Sequence, residues 1–181
     1  MTEDAGKRPI LLEAVAAEIE AFAGQDGWDQ PPTLYALVPT RMLAADPAAA
    51  EFLGELEVAE IGEEAITPIA QEPLPSGPLD EALAQIGWPA EVVGCALCQE
   101  IVMLPPAAEA EFADLDVAAA ASRAVDHPDR QDARLVVAVL RTGQAASILR
   151  LRGAGEAADD LLTGADLAPN LVSALAATLI D

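Results

Sequence analysis

The sequence predicts an α+β fold: a mostly antiparallel sheet of about five strands with three main helices packed on it. Three observations predict it. Short apolar runs bounded by Pro and Gly recur along the chain, as strands do. Two of these runs are joined by Arg141-Thr142-Gly143, a three-residue hairpin loop with Gly at the left-handed position. The helical segments are too few for a doubly wound parallel sheet.

The elements follow in chain order. Residues 1–9 mix acids and bases without an apolar signal core and read as a flexible segment, ahead of a single domain over 10–181. Ile10 to Ala23 reads as a helix, with Leu12, Val15, Ile19 and Phe22 at helical spacing and Leu11 widening the stripe. Glu13 and Glu20 fall away from that stripe, and Gly24 is placed to end the helix in a left-handed cap. "TLYALV", 33–38, is a strand closed by Pro39, and Thr40 and Asp46-Pro47 open short helices. Glu51 to Glu64 reads as an exposed acidic helix end and loop.

"AITPIAQ", 65–71, is a weaker strand, which Pro68 confines to an edge or a bulge. A helix spans about Pro78 to Ile86, with Asp80 and Glu81 at its positive N-terminal end. "EVVGCALCQEIVML", 91–104, is the strongest strand, apolar enough to be buried on both faces. Residues 107–125 are Ala-rich and read as loop, then helix. "DDLLTGADLAPNL", 159–171, reads as a turn leading into the last helix. That helix runs from Pro169 to Ile180, with Leu171, Val172, Leu175, Leu179 and Ile180 on its apolar side.

The hairpin "RLVVAVLRTGQAASILRLR", 134–152, raises the main chemical question. The chain holds 9 Lys and Arg against 31 Asp and Glu, a formal charge of −22. Lys7 is the only Lys, and Arg134, Arg141, Arg150 and Arg152 all lie in this stretch. The three-residue loop pairs Leu140 with Gln144 and Arg134 with Arg150. Side chains alternate across a sheet, so Leu135, Val137, Val139, Ala145, Ser147, Leu149 and Leu151 share one face. Arg134, Arg150 and Arg152 then cluster at one end of the other. Like charges opposite one another destabilise a sheet, so something negative should compensate. Internal partners are Glu100, Asp132, Asp159 or Asp160. The functional alternative is an anion site of Arg134, Arg150, Arg152 and His127 for a phosphate or carboxylate. A basic contact surface in an oligomer is a third reading.

Other candidate chemistry is weak. Cys95-Ala96-Leu97-Cys98 lies in a strand, where residues three apart point to opposite faces, and reads as two buried small apolar groups. A zinc site would need two further ligands, and His127 is the only His. His127 sits in "DHPD" without a nucleophile pattern. Glu63-Glu64 and Asp159-Asp160 lack the alternate oxygen spacing of calcium loops. Ser76 and Ser173 have no activating neighbours, and Gly153-Ala154-Gly155 lacks the rest of a dinucleotide fingerprint. No metal or cofactor is expected.

Apolar residues make up 52 % of the chain and aromatics 3 %, so the core must be built of Ala, Leu, Val and Ile. No apolar run approaches the roughly 20 residues that span a bilayer. The acidic balance disfavours nucleic acid and anionic membrane, which require clustered cations. The expectation is therefore a soluble, cytoplasmic, non-enzymatic acidic interaction protein of chaperone or adaptor type. Its partner is an unidentified protein, with a homodimer as an option. An anion-binding protein or enzyme using the arginine cluster is the alternative.

The segments "LYALVPT", "GCALCQEIVMLPP", "HPDRQDARLVVAVLRTGQAASILRLRG" and "DDLLTGADLAPNLVSAL" carry a resemblance in their order and spacing. Over about residues 9 to 180 the chain resembles a family of uncharacterised actinobacterial proteins. The resemblance implies a GC-rich source, in keeping with the excess of Arg over Lys. It implies no activity, ligand or catalytic residue.

Overall fold

A computed structural model describes residues 7–50, 65–74, 77–153, 161–164 and 167–180. The acidic stretch Glu51 to Glu64, Ser76, Asp159 and Asp160 lie outside the described residues. The described elements are α1 (Lys7–Gln25), β1 (Thr33–Pro39), α2 (Thr40–Ala45), α3 (Pro47–Ala50), β2 (Ile66–Ala70) and α4 (Leu79–Leu83). They continue with β3 (Gly94–Met103), α5 (Pro106–Glu111), α6 (Val117–Asp126), β4 (Gln131–Leu140), β5 (Ala145–Leu151), β6 (Leu161–Gly164) and α7 (Pro169–Thr178).

The α+β class holds, with six strands among the described residues where about five were expected. They form one antiparallel sheet in the order β2-β1-β3-β4-β5-β6. Pro68 sits in the edge strand β2, where a missing N–H is tolerated. The other edge, β6, falls where the sequence suggested a turn. Its four residues are too short and exposed to carry an alternating pattern.

The hairpin register is as expected. Gly143 takes a positive φ of 91°, its N–H reaches the Leu140 carbonyl at 2.9 Å, and Arg134 faces Arg150. Alternation then divides the core into two halves. On one face Val136, Ala138, Ala146 and Ile148 pack with Cys98 against Leu12, Val15, Ala16 and Ile19 of α1. On the other, Leu135, Val137, Val139, Leu149 and Cys95 pack against Leu175 and Leu179 at the C-terminal end of the chain. Each fully buried Val, Leu or Ile among them contributes about 1.5–3 kcal/mol. The sheet is thus a central layer between α1 and α7, and α4 lies against α7.

Helix α1 departs from its sequence reading at four points. It starts at Lys7, so residues 7–9 belong to the helix. It runs through Gly24, and the left-handed conformation falls instead at Gly27, φ 80°. Gly24 serves close approach: a Cβ there would lie 3.3 Å from Arg134 Nη1. Phe22, placed in the buried stripe, is 53 % exposed. Glu20, placed outside it, is only 3 % exposed. The buried face turns toward β4 and β5, where the arginines are, and away from the β1–β2 flank. Similarly, Ile180 lies past the end of α7 and is 76 % exposed.

Candidate functional site

At one end of the α1-covered face, three strands place Glu100, Arg134 and Arg150 side by side. Arg152 lies two residues beyond Arg150 on the same face. The register alone would gather three cations there, and helix α1 supplies the answer to their charge. The Glu20 carboxylate lies between two guanidinium groups. Arg150 donates from Nε at 2.6 Å and from Nη2 at 3.0 Å, and Arg134 donates from Nη1 at 3.2 Å. Such a forked, charge-assisted arrangement fixes orientation as well as sign.

The loop after α1 completes the cluster. Trp28 stacks beneath both remaining flanks, with the Arg134 guanidinium carbon 4.5 Å and that of Arg152 5.2 Å from its ring centre. Arg134 also donates to the Gly27 carbonyl. Arg152 makes a two-pronged contact with Asp29, at 2.9 and 3.2 Å. Hydrogen bonding from Arg152, then its charge, holds the Asp29 carboxyl below the usual carboxylate range. Asp29 itself adopts a left-handed φ of 67°, a conformation that Asp tolerates better than most residues. That turn aims the N–H groups of Asp29 and Gln30 at Glu100, at 2.8 and 2.5 Å. Glu100 therefore faces Arg134 across the ladder but anchors the loop rather than an arginine.

The cluster thus holds three guanidinium groups and the carboxylates Glu20, Asp29 and Glu100, all from this chain. Of the partners the sequence suggested, Asp132 lies 3.7 Å from Arg130 instead. Nearby, an open cavity of about 580 Å³ is bordered by Asp29, Glu100, Arg130, Asp132 and Arg152, so carboxylates share its rim with the arginines.

His127 is not brought into this cluster. It caps the C-terminus of α6, its Nδ1 accepts from the Asp129 N–H at 3.0 Å, and Nε2 lies 3.9 Å from Glu111. Its ring meets Phe112 edge-on. The two cysteines face opposite sides of the sheet, one in each core half. Burial pushes the Cys98 thiol up to about 11 and raises that of Cys95. Among the described residues, no group of three or more His, Cys, Asp and Glu could hold a metal ion.

The remaining hairpin arginine has a separate task. Arg141 donates to the carbonyls of Val92 at 2.8 Å and Trp88 at 3.1 Å, and also to that of Leu179. It ties the loop before β3 to the end of α7. Sequence reasoning missed this role, and missed Glu20 and Asp29. A charged residue one place beyond Ile19 was the available signal for Glu20, because position 20 borders the buried stripe.

No curated protein and no solved structure matches the chain. The model of the PPA1309-like protein family matches residues 12–180, a span that takes in most of α1, the six described strands and α7. The chain belongs to the PPA1309-like protein family.

Proposed function

We propose that this chain is a soluble, cytoplasmic, non-enzymatic interaction protein, of chaperone or adaptor type, that meets a protein partner through an acidic surface. The observation that carries this reading is the internal pairing of Arg134, Arg150 and Arg152 with Glu20 and Asp29. The cations of that sheet face are neutralised from within, and the surface is dominated by the excess of carboxylates. Large apolar side chains stand in that surface, among them Phe22, Met42 and Val125 at 53, 45 and 50 % exposure. Nucleic acid and anionic membrane are poor fits to a formal charge of −22. Among the described residues, no helix is long and apolar enough to cross a membrane.

The alternative, an anion site built on the same arginines and His127, has less support. A phosphate or carboxylate ligand would have to displace Glu20, which is 3 % exposed, or compete with Asp29 for Arg152. His127 contributes to a different surface. The discriminating experiment is chemical cross-linking of the full chain in its native cells, followed by capture. The proposal expects a protein that remains stoichiometric through washing. A chain recovered alone, yet melting several degrees higher with a phosphorylated or carboxylate metabolite, would replace it with the anion-binding reading.

A further inference from the structure

Helix α1 lies mainly over β4 and β5 and leaves the flank of the sheet at β1 and β2 less covered. Between the last turns of α1 and that flank runs a groove of about 460 Å³. It is lined by Ile19, Phe22, Tyr35, Pro68 and Ala70, with the exposed Glu18 at its rim. It continues past Phe22 and Tyr35 into a smaller hollow bordered by Asp26. Glu18, Phe22 and Asp26 recur at intervals of four, so they form one stripe along α1 and the turn after it. Glu18 and Asp26 are exposed, and the ion pairs of the described residues engage other acids.

We infer that this groove docks an extended segment of a partner protein carrying one apolar side chain flanked, two residues to either side, by Arg or Lys. This inference rests on the interaction reading above. Charge identifies the occupant: the rim offers two carboxylates around an exposed aromatic ring, while the neighbouring arginines are already held by Glu20 and Asp29. Spacing sets the pattern. Eight residues of helical rise separate Glu18 and Asp26 by about 12 Å. An extended chain covers about 3.3 Å per residue, so four residues span that distance. Positions i, i+2 and i+4 of such a chain share one face, which places the apolar residue over Phe22 and the cations at the rim. Pro68 has no N–H to offer an added strand at the middle of β2, so recognition falls on side chains. A second copy of this chain fits poorly, because its own rim would set carboxylate against carboxylate.

The test is panning of a phage-displayed library of random 12-residue peptides against the full chain, with an unrelated protein of similar negative charge as the background. The expected result is enrichment of Arg/Lys-x-apolar-x-Arg/Lys over that background. A synthetic peptide of that pattern should bind by fluorescence anisotropy, weaken with added salt, and lose at least tenfold in affinity to Phe22→Ser and to the double variant Glu18→Gln/Asp26→Asn. Both variants alter exposed positions, and the second keeps the test informative where the first fails to fold. Peptides that bind both variants as well as the parent would overturn the groove while leaving the interaction reading intact. No enrichment over background would overturn it too, as would a dimer in solution that Phe22→Ser converts to monomer.

Discussion

Replacing Glu20 by Gln keeps the shape of the side chain and removes its charge. The carboxylate is 3 % exposed and holds two guanidinium groups, one on a side chain that is itself only 3 % exposed. Arg134 and Arg150, paired across the β4–β5 ladder, would then both lose this counter-ion. Removing one partner of a buried ion pair costs about 3–5 kcal/mol, because the other charge is left uncompensated. For a chain of this length each kcal/mol moves the melting temperature by roughly 2–4 °C, so the expected fall is about 6–20 °C. Urea unfolding followed by circular dichroism gives the free energy directly. The triple variant Glu20→Met/Arg134→Met/Arg150→Leu should regain most of the loss, since apolar replacement of a whole buried ionic group is often neutral. A loss for Glu20→Gln below about 1 kcal/mol, the range of surface pairs, would refute the claim that this carboxylate anchors the cluster.

Three further expectations follow from the same structure. Asp29 has a depressed carboxyl pKa in the folded state, so the Asp29–Arg152 contribution is fully present above the ordinary carboxylate range and fades as pH falls through the folded value. Stability curves of the parent and of Arg152→Ala should therefore differ most near neutral pH and draw closer in acid, down to what the loss of the Trp28 contact leaves, and a constant gap at all pH values would contradict the pairing. Cys95 and Cys98 are buried with raised thiol pKa values, so a thiol reagent at pH 8 should label them only as fast as the chain unfolds. Rapid labelling of the native protein would show one of them to be accessible. Gly94→Ala would push a Cβ into the Val139 carbonyl oxygen, at the end of the β3–β4 ladder. Overpacking of this kind costs about 1–3 kcal/mol, and chemical denaturation showing no loss would mean that the β3–β4 pairing is looser than described.

How far the sequence reaches is visible in this one cluster. The hairpin register was legible because two signals agree, the Gly-bearing loop and the alternation of Leu and Val with Arg. It brought Arg134, Arg150 and Arg152 together correctly. Their partners were far less legible. Glu20 lies on a helix whose apolar stripe borders it on one side only, and a lone acid there reads as solvated. Asp29 depends on a left-handed turn and on Glu100 reaching 71 residues back to hold it. Gly24 read as the helix end, but α1 runs through it and the left-handed turn falls at Gly27, while the missing Cβ at Gly24 leaves room for Arg134. Phe22 has helical spacing like its neighbours. Its exposure follows from the direction α1 takes across the sheet, which no local pattern encodes. Strand β6 is short and exposed and, among the described strands, pairs with β5, so tertiary pairing rather than propensity defines it.

The central claim is that the arginine cluster is already satisfied by the chain's own carboxylates. Thermal melting of the full chain in graded inorganic phosphate, pyrophosphate and citrate, at constant ionic strength, tests it most directly. A ligand at a hundred times its dissociation constant would stabilise by about 2.7 kcal/mol, a rise of roughly 5–10 °C. The account predicts no saturable rise with any of the three. A saturable rise that disappears in Arg150→Ala or Arg152→Ala would contradict it and make the cluster a ligand site.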